Sequence, residues 1–368
     1  MKRNIKIILM VLIISVVFVL ICTFTEVGID RLVAFNNELQ SSTEREIEEG
    51  DMLYSDEVLY EDETLICYSD RIMFRFKLNM DNVGYITKIA EGVLNKCENI
   101  ENLYVMPIPN AILVEDSQME TQYEQYMEAL KSELPEKTVL VDSYQSLKTH
   151  TYDYIYFKTA DSWTTLGAYY GLRDFSEAAG FEVKLLGEYW EYQYNTFQGE
   201  LSMYEPLDEV DDADLIEDHV HYYILPGTKN RVEETRYDNG VATVSKKPLI
   251  TPSYRNTGMF ISNGYYNAVV EGESTVEKNK GKYLMVICDG AGKIMVPFLK
   301  DYYDGVYVVN IMRDEGLINT INDVLTKYNI TDVLYIQNVM NMGVNSYSSA
   351  LNRFCEEKQV WQDDTEKN

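Results

Sequence analysis

The stretch Tyr154-Ile155-Tyr156-Phe157-Lys158-Thr159-Ala160-Asp161-Ser162-Trp163-Thr164-Thr165-Leu166-Gly167-Ala168-Tyr169-Tyr170 decides how this chain reads. The apolar run Tyr154 to Phe157 reads as a strand, a small polar turn follows, and a helix begins near Trp163. Open α/β sheets bind ligands in the crevice at the carboxyl ends of their strands. A strand–turn–helix junction therefore exposes its turn side chains where chemistry is expected. Here the middle of the turn is Ala160-Asp161-Ser162: an inert methyl, one carboxylate and one hydroxyl.

Working outward, the pattern becomes globular from residue 64. Residues 64–78 read as a strand or hairpin, 83–94 as an amphipathic helix and 102–106 as a strand ended by Pro107-Ile108-Pro109-Asn110. A helix at 119–133 and a strand at 139–141 lead to the opening stretch, and a further strand is expected near 181–185. Such βαβα alternation argues for a parallel sheet with helices on both faces. Residues 186–280, rich in Tyr, Trp, Gly and acidic side chains, break the rhythm and read as an irregular, mostly β insertion. Long excursions of this kind are usually functional or mobile. The rhythm then returns. The continuous apolar run 283–288 reads as a strand buried on both faces, followed by a helix over 294–299, a strand at 305–309, a helix at 317–328 and a strand at 332–336. A last helix is expected at 346–356. Because α/β elements flank the insertion, one sheet assembled from both halves is expected, in a domain spanning 64–368.

The first residues set the compartment. Lys2, Arg3 and Lys6 precede eighteen uncharged residues from Ile7 to Phe24, at the lower edge of what spans a bilayer. With the basic flank inside, residues 1–25 read as a cytoplasmic flank and signal-anchor, and the bulk of the chain lies outside the cytoplasm. A cleaved signal peptide competes with this, but no small-x-small site follows the run. Cys22 lacks the small preceding residue that a lipoprotein would want, since Ile21 stands there. Residues 26–63 read as an extracytoplasmic stalk.

The 368 residues carry 60 acidic against 32 basic side chains, a formal net charge of −28. That field repels polyanions and excludes nucleic acid as a partner. Of five cysteines, Cys22 lies in the anchor, and Cys67, Cys97, Cys288 and Cys355 could pair in an oxidising compartment. Their spacing fits no metal motif, and Cys288 ends an apolar run as a buried thiol would. No metal or cofactor is expected. His219 and His221 share a strand face two residues apart, with Asp218 adjacent, but surface imidazoles explain that spacing better than a metal pair.

The quoted stretch resembles the signature of the DHHW protein family, in which the turn reads Thr-Asp-His-His-Trp-Thr before Thr-Leu-Gly-Ala-Tyr-Tyr. Trp163 to Tyr170 matches it without a gap. Tyr104 to Asn110, Phe197-Gln198-Gly199-Glu200-Leu201, Leu284 to Asp289, Val296-Pro297-Phe298-Leu299, Tyr302-Tyr303 and Ile330 to Leu334 resemble further family elements in the family's order. The family is similar to the alginate O-acetyltransferase accessory proteins. That resemblance implies an SGNH-hydrolase-like fold, a serine nucleophile after a strand, and an Asp-x-His pair completing the triad.

The departures fall on those working positions. Where the family has its acid this chain has Ala160, where it has the histidine before tryptophan this chain has Ser162, and where the nucleophile follows Asp289 this chain has Gly290. A serine needs a base within hydrogen-bond reach and the base needs an orienting partner, so the resemblance implies a degenerate site. Asp161, Trp163, Asp289 and Asn263 remain as side chains of a candidate cleft, with Trp163 reading more as a wedge under the helix start than as a ligand platform. Thirty tyrosines and three tryptophans crowd in part into Tyr189-Trp190-Glu191-Tyr192-Gln193-Tyr194. Such rings stack on sugars or pack interfaces. The resemblance implies a membrane-anchored accessory or glycan-binding protein beside a membrane-bound O-acyltransferase and an exported polysaccharide. The alternatives are an active O-acetyltransferase or esterase using other residues, and a structural envelope protein.

Overall fold

The computed structural model describes residues 54–75, 78–97, 99–210, 216–238, 241–251, 259–261, 267–310 and 317–342. The apolar run 7–24, most of the stalk, Asn263, Cys355 and the helix expected at 346–356 lie outside these residues. Among the described residues no helix is long and apolar enough to cross a membrane.

The fold is mixed α/β around a central, mostly parallel sheet. Four strands come from the parallel alternation around the insertion: β4 (Asn102–Ile108), β11 (Tyr283–Cys288), β12 (Gly305–Asn310) and β13 (Ile330–Asn338). With the short edge strand β5 (Thr138–Leu140) they run parallel in the order β5-β4-β13-β11-β12. The last strand in the chain thus lies between strands from opposite sides of the insertion, as expected of a sheet built from both halves. Every residue of β11 after Tyr283 is buried. Since alternate side chains point to opposite faces, both faces of that strand are covered, and the continuous Leu-Met-Val-Ile-Cys run is the result.

The insertion is less separate than its composition predicts. β8 (Arg231–Asp238), β9 (Val241–Pro248) and β10 (Asn267–Glu271) extend the same sheet beyond β12 in antiparallel register, making eight strands. Among the described residues of the insertion, β6 (Trp190–Phe197) and β7 (Asp218–Ile224) alone stand apart, as an antiparallel ribbon. A second small sheet, β1 (Val58–Glu61), β2 (Leu65–Tyr68) and β3 (Ile72–Phe74), buries Leu65, Cys67 and Ile72 against Leu201, Leu207 and Ile216. The described structure thus reaches into the segment read as stalk.

The helices are α1 (Asp81–Lys96), α2 (Ala111–Glu115), α3 (Glu120–Glu133), α4 (Tyr144–Lys148), α5 (Thr165–Ala179), α6 (Gly290–Lys293), α7 (Val296–Leu299) and α8 (Leu317–Lys327). Of the helix expected over 294–299, Val296–Leu299 forms as α7, with Pro297 in its first turn, where its missing N–H costs nothing; the separate short α6 ends before it, at Lys293. No strand forms at 181–185; Leu186–Glu188 makes a 3-10 turn in which Glu188 accepts the Leu185 N–H at 2.9 Å. The strand expected at 154–157 is also absent. Only an isolated bridge joins Tyr156 to Trp163. The backbone there closes on its own turn: the Phe157 N–H donates to Ser162 O at 3.1 Å and the Thr164 N–H to Ile155 O at 2.8 Å. Four apolar residues bury as well in a folded loop as in a strand, and these donors were already used.

Candidate functional site

The parallel strands β4, β11 and β13 end side by side, with Ile108 opposite Asn338 and Cys288 opposite Ile336. Just beyond their apolar runs they carry buried polar residues: Asn110, Asp289, and the pair Gln337 and Asn338. This is the carboxyl edge of the sheet, where ligands are expected.

Asp289 organises it. Its carboxylate caps α6 by accepting the Gly292 N–H at 3.0 Å, and its other oxygen accepts the Asn338 backbone N–H at 3.0 Å and the Asn341 amide at 2.7 Å. Burial pushes its pKa up, and these donors pull it back. All this capacity is spent on holding the turn after β11 to the end of β13. Asp289 is framework. Gly290 follows it, exposed, at the first position of α6.

The turn 159–163 docks onto the same edge. Trp163 is fully buried and its indole N–H donates to Ala291 O at 2.9 Å, one residue beyond Gly290. The Asn338 amide donates to Asp161 O at 3.0 Å, while the Asn338 backbone is held by Asp289. Two contacts thus join the turn carrying Ala160 and Ser162 to the turn carrying Gly290. From the other side, Asp218 accepts the Thr159 N–H at 2.8 Å and the Thr159 hydroxyl at 2.6 Å. The Gly199 N–H donates to that hydroxyl at 2.8 Å and the Leu201 N–H to Thr159 O at 3.0 Å. A Cβ at Gly199 would stand 2.2 Å from Thr159 O and 2.5 Å from the Ala160 Cβ, so only glycine lets this segment lie flush on the turn. Thr164 caps α5, its hydroxyl accepting the Gly167 N–H at 3.3 Å.

Within this frame the reactive inventory is short. Ala160 is buried and Ser162 is buried with its hydroxyl 3.4 Å from Trp163 O. Asp161 is half-buried, and burial first, then the neighbouring Glu200 carboxylate, push it up to about 7 against the pull of the Asn110 and Asn338 amides. Its own N–H donates to Glu200 at 3.0 Å. The Cys288 thiol is buried and burial pushes it up to about 12, which leaves it protonated at neutral pH. Among the described residues no group of three or more His, Cys, Asp or Glu could hold a metal. His219 stacks on Tyr154 with centroids 4.4 Å apart, and His221 is engaged by Glu191. Burial holds the His219 pKa down.

Of the four cleft side chains named from sequence, Asp161, Trp163 and Asp289 come together here, with Trp163 and Asp289 inside the frame. Asn263 lies outside the described residues. Sequence reasoning missed Asn110, Asn338, Asp218 and Gly199. Asn110 and Gly199 stood inside stretches already singled out, and Asn338 is the first amide pair's second member after the apolar β13 run, a position where a strand end faces the site.

No curated protein matches the sequence. Among solved structures, a DHHW family protein from Eubacterium siraeum superposes with a TM-score of 0.66 at 21% identity, covering 81% of this chain and 98% of that one. PatB1 of Bacillus cereus, solved with a sulfonyl adduct, superposes with a TM-score of 0.57 at 13% identity over 77% of this chain and 97% of its own. The O-acetyltransferase domain of Pseudomonas putida AlgJ gives 0.42 at 11% identity over 77% and 96%. The family described as DHHW protein matches residues 104–309, which run from β4 through the docked turn and the Asp289 clamp into β12. By that match over more than half its length, the chain belongs to the DHHW protein family.

Proposed function

We propose that this chain is a catalytically retired DHHW protein with an SGNH-like site, serving as an accessory or glycan-binding component of an envelope polysaccharide O-acetylation system. The observation that carries the reading is the joining of the two turns. Trp163 and Asn338 hold residues 160–162 against residues 289–291, as a working triad would require. The three positions that would supply acid, base and nucleophile are Ala160, Ser162 and Gly290. Without a base, a serine hydroxyl is a weak nucleophile, and here no serine stands at the nucleophile position.

Membership of the DHHW family, which resembles the alginate O-acetyltransferase accessory proteins, supports the link to polysaccharide acetylation. The basic flank and apolar run at 2–24 support a single-pass anchor with the bulk of the chain outside the cytoplasm and a membrane-bound O-acyltransferase as partner. Asp161 is what an active-enzyme reading would rest on, since a carboxyl titrating near neutrality is matched to general acid–base work.

The test is turnover. The full chain in detergent is incubated with a chromogenic acetyl ester across pH 6 to 8. The proposal expects the rate of buffer alone. Turnover abolished by Asp161→Asn establishes the enzyme reading instead. Co-purification with a multi-spanning acyltransferase tests the accessory role separately.

A further inference from the structure

We propose that the β6–β7 ribbon and the cleft at its end form a binding subsite for an uncharged oligosaccharide. This deepens the glycan-binding reading above and rests on it. Among the described residues many large aromatic side chains are spent on the core: Trp163, Tyr123, Tyr126, Tyr144, Tyr302 and Tyr303 are all essentially inaccessible. The ribbon does the opposite. Trp190 is 48% exposed and Tyr192 40% exposed.

Strand alternation puts Trp190, Tyr192 and Tyr194 on one face, spanning about 13 Å at the usual rise per residue. Tyr222 lies directly opposite Tyr192, and the two rings stack nearly parallel, with centroids 5.1 Å apart and 10° between planes. On the other face His221 and Tyr223 both engage Glu191, while Gln193, across from His221, stays exposed. Core packing accounts for Glu191, Tyr223 and the Val220 end of the ring face, and leaves Trp190 and Tyr192 exposed.

The row ends at a cleft of about 750 Å³ that Tyr194 also lines. It is lined by Asn195, Gln198 and, from the ribbon face opposite the rings, Gln193, with Glu217, Asp218 and His219 completing it. An amide offers donors and an acceptor together, which suits hydroxyls that both give and take hydrogen bonds. Flat rings for an apolar sugar face and amides for its hydroxyl rim are the two halves of saccharide recognition. The charge selects among sugars. A chain of net charge −28 repels polyuronates and other anionic glycans, leaving neutral and N-acetylated ones. The cleft also belongs mechanically to the candidate site. Asp218 lines it and is the carboxylate that clamps Thr159, next to Ala160.

The experiment is titration calorimetry on the full chain in detergent, with an N-acetylglucosamine hexamer and a polyuronate of similar length as probes. The expected result is binding of the hexamer, no detectable binding of the polyuronate, and at least a tenfold loss with Trp190→Ala and with the pair Gln193→Ala and Asn195→Ala. These side chains are exposed on the ribbon, so the unfolding midpoint should not move, and either variant alone serves if the other folds poorly. Hexamer binding that both variants retain overturns the subsite while leaving a glycan-binding function standing. Polyuronate binding overturns the sugar class. Absence of binding to either probe overturns the subsite, whereas the accessory role is then judged by co-purification with the acyltransferase.

Discussion

Gly171 and Trp163 make opposite demands that a mutant cycle can separate. Gly171 sits inside α5, where alanine would be favoured by about 1 kcal/mol on helix propensity alone. A Cβ at that position would stand 2.6 Å and 2.8 Å from the outer ring carbons of Trp163, and 3.0 Å from the Met106 methyl. The methionine can yield. The indole cannot, because it is fully buried and its N–H is fixed on Ala291 O. Overpacking of this kind typically costs about 1–3 kcal/mol, so Gly171→Ala should destabilise despite the propensity gain. Trp163→Phe removes the outer ring carbons and leaves Ala291 O without its donor, a loss of about 1–3 kcal/mol. In that background the alanine Cβ meets open space, and Gly171→Ala should become neutral or stabilising. Urea unfolding of the four proteins by circular dichroism gives the coupling directly, expected at about 1–3 kcal/mol. If Gly171→Ala stabilises the native protein, or the two changes add within about 0.5 kcal/mol, Trp163 is not the rigid wedge on which the docked turn depends.

Asp289→Ala should cost about 2–4 kcal/mol in the same assay, since it removes the α6 cap and leaves the buried Asn338 N–H without an acceptor; Asp289→Asn should cost clearly less. Asp161 is protonated more readily in the folded state than in the unfolded one, so between about pH 4 and 7 the folded protein holds the extra proton and stability falls as pH rises. Asp161→Asn should therefore flatten the pH dependence of the unfolding midpoint, gaining at pH 8 by up to about 2 kcal/mol after discounting for its partial exposure, with little change at pH 4. Gly199→Ala should destabilise more than an ordinary surface substitution because its Cβ would strike Thr159 O, and differential scanning fluorimetry reads that directly.

What the sequence displayed was local periodicity and what it hid was who meets whom. The run 283–288 is apolar throughout because β11 is covered on both faces, and it could be read from six residues. The helix expected from near Trp163 is α5, which the structure shows capped by Thr164. The run 154–157 misled, because apolar content alone does not say whether backbone donors will find a neighbouring strand or their own turn. β8, β9 and β10 read as an insertion because the pairing that joins them to β12 through β10 is a non-local contact, invisible in composition. The site divides the same way. The substituted positions Ala160, Ser162 and Gly290 stood out against a family signature. The clamp that brings them together, Asn338 with Asp289, joins residues 49 apart through hydrogen bonds that no spacing rule announces.

The most direct test of a retired site is covalent labelling with a serine-reactive phosphonate, read by intact-mass spectrometry. The account predicts no adduct on the native chain, and one adduct per chain, mapping to position 290, on the triple variant Ala160→Asp, Ser162→His, Gly290→Ser. A stoichiometric adduct on the native protein would contradict it.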